Sequence, residues 1–153
     1  LAALIANKGY FYTPHIIKSI EGSKIDEKYR TKHVIDIKEK YFDVVQYGME
    51  LAVKKGTVRF GQIDSLVFCG KTGTAQNPHG EDHSIFMGFA PKDKPQIAIA
   101  VYVENSGFGA TWAVPIASLM IEKYLYREIS PKRKHVEKRM MESVIDPNTD
   151  KKE

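Results

Sequence analysis

Residues 69–76 read CGKTGTAQ: a lysine stands between two glycines and is followed by two threonine hydroxyls. Two chemistries use such a group. One is phosphate binding by a nucleotide loop, which needs G-x-x-x-x-G-K-[ST] and runs from a strand into a helix, whose N-terminus holds the phosphates. Gly70, Lys71 and Thr72 supply the end of that pattern, but Ser65 stands where its first glycine belongs. The stretch after Thr72, GTAQNPHG, has no helical period, so the context fails as well. The other chemistry is acyl transfer, in which Lys-Thr-Gly-Thr on a strand forms part of the site of a serine acyl-transferase.

A strand of that kind needs a sheet and helices to hold it. The chain has 153 residues, 42% apolar and 27% charged, enough for one domain with a core. Its net charge of +4 is mild and its basic excess lies near the C-terminus, so no nucleic-acid partner is expected. A single cysteine, Cys69, rules out an internal disulfide framework. The longest unbroken apolar run, 97–103, is far short of the ~20 residues of a membrane helix.

The opening LAALIANKG is helical in character and apolar almost all round. It should lie inside a larger body, with Gly9 as its left-handed cap. It starts without methionine, which we read as a chain cut from a longer protein. YFYTPHIIKSI reads as extended, kinked or edged at Pro14, and EGSK as a turn. KEKYFDVVQYGMELAVKKG has helical period. Tyr41, Val45, Gly48 and Ala52 form one face, with Phe42, Met49 and Val53 beside it, and Gly56 is the stop.

Three strands follow: SLVFCGKTGTAQ, HSIFMGFA and QIAIAVYVE. The last is apolar at alternate and intervening positions, so both sheet faces should be covered. The PKDKP turn makes the last two an antiparallel hairpin. AVPIASLMIEKYLYREI is a helix with an apolar stripe at 113, 116, 117, 120, 121 and 124, and Pro115 sits in its first turn. From Ser130 the chain is charged, forming either a short helix capped by Ser130 and started by Pro131, or disorder. The fold class is α+β: three antiparallel strands with helices packed on the sheet.

GMELAVKKGTV, GKTGTAQ, HSIFMGFAP and VYVEN…AVPIA occur in one order and spacing. Together they resemble the C-terminal part of the transpeptidase domain of class B penicillin-binding proteins, in particular the elongation-type subfamily, penicillin-binding protein 2. The resemblance covers residues 1–128, leaving 129–153 as a charged C-terminal tail. It implies part of the β-lactamase/transpeptidase-like fold.

It also implies a parent enzyme that cross-links peptidoglycan stem peptides ending in D-Ala-D-Ala by serine acyl transfer and is inhibited by β-lactams. Lys71 then acts in catalysis by holding the anionic substrate end and helping proton transfer. Thr72 and Thr74 bind the ligand carboxylate, and the Thr74 N–H is an oxyanion-hole donor. Gly73 lets the ligand approach the backbone as an added strand. The family uses no metal or organic cofactor. It implies an extracytoplasmic, periplasmic domain, a membrane anchor upstream, and contact with the cell-elongation machinery.

The nucleophile of this family sits in S-x-x-K, where lysine activates serine one helical turn away. None of serines 19, 23, 65, 84, 106, 118, 130 and 143 has a lysine three residues on, and position 133 after Ser130 is Arg. S-x-N is absent as well. We therefore expect a fragment holding one wall of the site and unable to form an acyl-enzyme alone. The alternative is a binding module, a penicillin sensor without turnover.

His79, Glu81, Asp82 and His83 contain zinc-ligand types but read as a polar loop. Cys69 reads as a small core residue. Phe108 and Trp112 are expected to pack on the last helix, with flanking of the substrate groove as the alternative, and the glycines of SGFGA to form a flexible strand-to-helix turn rather than an anion-binding nest.

Overall fold

The computed structural model describes residues 1–145. Its elements run α1 (Ala2–Ala6), β1 (Tyr10–Tyr12), β2 (Lys32–Val34), α2 (Glu39–Lys54), β3 (Cys69–Ala75), β4 (His83–Ala90), β5 (Ile97–Val103), α3 (Ala113–Tyr126) and α4 (Lys134–Glu142). β1 and β2 form a small antiparallel pair. The main sheet is antiparallel in the order β3-β4-β5, so β3 and β5 each lack a second neighbour among the described residues.

Side chains alternate across this sheet, and the two sets enter different core clusters. Phe86, Ala90, Ile99 and the half-buried Val101 join Val114, Ala117 and Ile121 of α3 in the larger core cluster. Cys69, Met87 and Phe89 point the other way, where Ile5, Ala6 and Met49 of α1 and α2 cover them. The order of elements and the helix-covered sheet are those expected, and β4 occupies the predicted HSIFMGFA.

Several local expectations differ. The α1 cap is a Schellman turn in which the left-handed residue is Lys8 (φ 53°), with Gly9 at φ 117° following it. Lys8 N–H reaches Ile5 O and Gly9 N–H reaches Leu4 O, which satisfies the end of the helix. β3 starts at Cys69 and not at Ser65, because Ser65 adopts φ 61° in a turn closed by the Ile63–Leu66 bridge.

The buried side of α2 is Phe42, Gln46, Met49, Glu50 and Val53, while Tyr41 and Val45 are exposed. The apolar face is therefore rotated by about one position, because Gln46 and Glu50 enter the interior with partners. Gln46 donates to Ile5 O at 2.7 Å, and Glu50 is clamped by Lys54 and Lys92. β5 is covered on one face only: Ile99 is buried, whereas Ala98, Ala100 and Tyr102 are exposed. On α3, Ala113, Ala117 and Ile121 are buried as the stripe requires, but Met120 and Tyr124 face outward.

The segment after α3 is docked on that helix. Arg127 turns the chain at φ 68°, and Ile129 is buried. Arg133 reaches back to Glu122 Oε2 at 2.7 Å and Ser118 Oγ at 2.6 Å, and Ser130 N–H donates to Glu122 Oε1 at 3.1 Å. A buried ion pair satisfied on both sides thus fixes the start of α4. Ser130 takes the position before the Pro131 turn without a side-chain capping bond. The rest of the expected tail, 146–153, lies outside the described residues.

Candidate active site

β3 carries Lys71, Thr72, Gly73 and Thr74 on the outer strand of the sheet, opposite Met87, Phe86, Ile85 and Ser84 of β4. Strand alternation puts Lys71 and Gly73 on the α1–α2 face and Thr72 and Thr74 on the α3 face. The four predicted residues are therefore brought together at an open sheet edge. Lys71 is exposed and its ammonium donates to Thr72 O at 2.7 Å. Thr72 Oγ1 lies 2.7 Å from Thr57 Oγ1.

Two glycines explain how tightly this edge is built. A side chain on Gly70 would collide with the Phe86 ring at 2.6 Å, so β3 lies flush on the core. At Gly109, an added Cβ would stand 2.6 Å from Ile85 O, 2.7 Å from Gly73 O and 3.2 Å from Thr72 Cβ. The glycine-rich loop therefore rests directly on the backbone of the candidate strand, and its second glycine is required by contact rather than by flexibility.

Ser84, fully buried on β4, pins this loop: its hydroxyl donates to Phe108 O and accepts from Ala113 N–H, both at 3.1 Å. The N–H groups of Ser106 and Gly107 donate to Asp82 O at 2.9 and 2.7 Å. Phe108 stays 75% exposed and does not pack on α3 as expected, because its carbonyl is held by Ser84 while its ring points to solvent. Trp112 is half-buried at the start of α3.

The loop after the motif is tied to the same region. Asp82 accepts from Asn77 N–H at 3.1 Å, Asn77 Nδ2 donates to Asn105 Oδ1 at 2.6 Å, and His83 Nδ1 accepts from Asn105 N–H at 3.0 Å. These groups serve as loop anchors, and no cluster of metal-ligand residues stands out among the described residues. Cys69 is fully buried and its thiol donates to Gln46 O at 3.3 Å; burial pushes the thiol up to about 12, so it stays protonated. The site thus has a cation, two hydroxyls and a glycine along an open backbone edge. It can bind an anionic, extended ligand, and the described residues add no activated nucleophile to it.

The model of the penicillin-binding protein transpeptidase domain matches residues 1–122. The chain belongs to this family. Among solved structures, it is similar to Pseudomonas aeruginosa PBP2 in complex with WCK 5153, with 34% identity and a TM-score of 0.69 over 86% of this chain and 30% of that one. Among curated relatives, it is 29% identical to the peptidoglycan D,D-transpeptidase MrdA of Haemophilus influenzae, over 86% of this chain and 24% of that protein. It is 31% identical to the peptidoglycan D,D-transpeptidase PbpA of Mycobacterium tuberculosis, over 84% of this chain and 28% of that protein. This transpeptidase-family chain therefore spans about a quarter of the length of these curated relatives.

Thr57, Ser84, Asn77, Asn105 and Gly109 were not predicted as site residues. The GT that begins with the α2 stop, Gly56, and the second glycine of SGFGA were visible signals for Thr57 and Gly109. Ser84 and the asparagines carry no motif, and their parts depend on the register of β4 against β3 and β5.

Proposed function

We propose that the full-length protein carrying this chain is a serine-type peptidoglycan D,D-transpeptidase, and that residues 69–75 form the substrate wall of its active site. The observation that carries this reading is the position of Lys71–Thr74 on the open outer strand of the sheet. A stem peptide ending in D-Ala-D-Ala lies along that edge as an added strand, with Gly73 leaving room for its backbone. A serine Oγ, supplied from outside this chain, attacks the carbonyl of the penultimate D-Ala and the terminal D-Ala leaves as the amine. A second stem peptide's amine then takes the acyl group and frees the serine.

Thr72 and Thr74 hydroxyls bind the terminal carboxylate, and Thr74 N–H stabilises the oxyanion. Lys71 adds positive charge beside the carboxylate and assists proton transfer. β-Lactams occupy the same wall and acylate the same serine. The reaction takes place on the outer face of the bacterial inner membrane, beside the cell-elongation machinery, in a protein anchored outside this segment. No helix among the described residues is long and apolar enough to cross a membrane. The chain by itself forms no acyl-enzyme.

The test is turnover of a stem peptide ending in D-Ala-D-Ala, with an acceptor amine, by the full-length protein. We expect release of D-Ala with formation of the cross-linked amide, reduced about 100-fold or more by Lys71→Ala. A stable penicillin adduct without peptide turnover would instead identify a sensor.

A further inference from the structure

We propose that Thr57 is a positioning residue for Thr72: it hydrogen-bonds the hydroxyl meant for the ligand carboxylate and sets its direction. The inference rests on the carboxylate role given to Thr72 above and extends it to a residue outside the strand. Thr57 Oγ1 and Thr72 Oγ1 are 2.7 Å apart, although the residues are 15 positions apart in the chain.

The contact is built from both sides. Thr57 lies between two fixed residues just past α2. Gly56 is pressed on the helix so closely that a Cβ would stand 2.9 Å from Ala52 Cα. Val58 is fully buried, and its N–H donates to Ala52 O at 3.0 Å. The backbone that carries the Thr57 hydroxyl is therefore held although its side chain is exposed.

Gly109 also adjoins Thr72, its Cβ position standing 3.2 Å from Thr72 Cβ. Thr72 is thus held by close neighbours, and its β-branched side chain is stiff at χ1. A threonine hydroxyl has one proton. If Thr72 uses it on a carboxylate, its oxygen is left to accept, and Thr57 is the donor within reach. The resulting chain runs from the Thr57 O–H to the Thr72 oxygen and from the Thr72 O–H to the carboxylate, each bond polarising the next. The role needs a hydroxyl and not a specific side-chain shape.

The experiment measures acylation of the full-length protein by intact mass over time, with benzylpenicillin and with its methyl ester, which lacks the anionic carboxylate. Thr57→Val should slow acylation by the acid about fivefold to tenfold, the loss of a neutral hydroxyl–hydroxyl bond that supports the one to the carboxylate. It should leave the ester rate unchanged, and Thr57→Ser should restore the acid rate. Thr72→Val reports on the underlying reading and should also lower the acid-to-ester ratio.

A Thr57→Val protein slowed equally with both compounds, or with neither, overturns the inference. If Thr72→Val lowers the ratio and Thr57→Val does not, the inference fails alone. If Thr72→Val leaves the ratio unchanged, or the unaltered protein is not acylated, the reading of Thr72 fails and the inference fails with it.

Discussion

At residue scale, glycines control how closely the candidate strand is approached, and they do so by different means. Gly109 lies against carbonyl oxygens of Ile85 and Gly73, and backbone cannot swing aside as a long side chain can. Gly109→Ala should therefore displace the loop from β3, at a cost of roughly 1–3 kcal/mol. For a chain of this size that is a fall in melting temperature of roughly 2–12 °C. Gly48 is the contrast. It lies within α2, and an added Cβ meets nothing within 4 Å. Gly48→Ala should raise stability by about 1 kcal/mol from helix propensity alone. Paired thermal unfolding curves check both signs, and a Gly109→Ala protein as stable as the parent contradicts the close contact.

Lys71, Thr72, Gly73 and Thr74 stand out in the sequence as one motif, and the fold puts them side by side on the outer strand β3. Thr57 carries only a local signal, the GT at the end of α2. Its relation to Thr72 exists only once the end of α2 is brought beside β3.

At the scale of elements, α2 is joined to the β4–β5 turn through one carboxylate. Glu50 is buried on α2, and Lys54 of the same helix and Lys92 of the turn both bind it. These bonds hold its carboxyl below the ordinary 4.5, with Lys54 the first cause and Lys92 the second, while burial opposes them. A carboxyl lowered on folding contributes stability that is complete above its unfolded value. That stability is lost as pH falls through the folded value. We therefore expect stability to decline with acidification below about pH 4.5, and Glu50→Gln to flatten that decline while lowering stability at neutral pH. Urea unfolding at several pH values measures this, and an unchanged pH slope in Glu50→Gln would contradict it.

The same clamp explains why the period of α2 was legible and its buried face was not. Periodicity predicts a helix from apolar spacing, but Gln46 and Glu50 entered the interior because Ile5 O, Lys54 and Lys92 were there to meet them. In the same way, charge in 130–142 suggested a solvated tail. Arg133 instead found Glu122 and Ser118 on α3, a pairing set by tertiary structure.

At the scale of the whole molecule, the fold class was legible because three strand patterns and the helices around them follow the chain in simple order. The covering of β5 was not. Its apolar residues predict two covered faces, while Ala98, Ala100 and Tyr102 stand exposed beside an edge without a second strand among the described residues. The candidate site has the same character: Lys71, Thr72, Gly73 and Thr74 lie along β3, whose outer edge has no second strand among the described residues.

The most direct measurement is the intact mass of this chain after incubation with a reactive penicillin, beside the full-length protein under the same conditions. We expect one penicillin adduct on the full-length protein and none on this chain. An adduct on this chain would contradict that, because one of its own residues would then be the nucleophile.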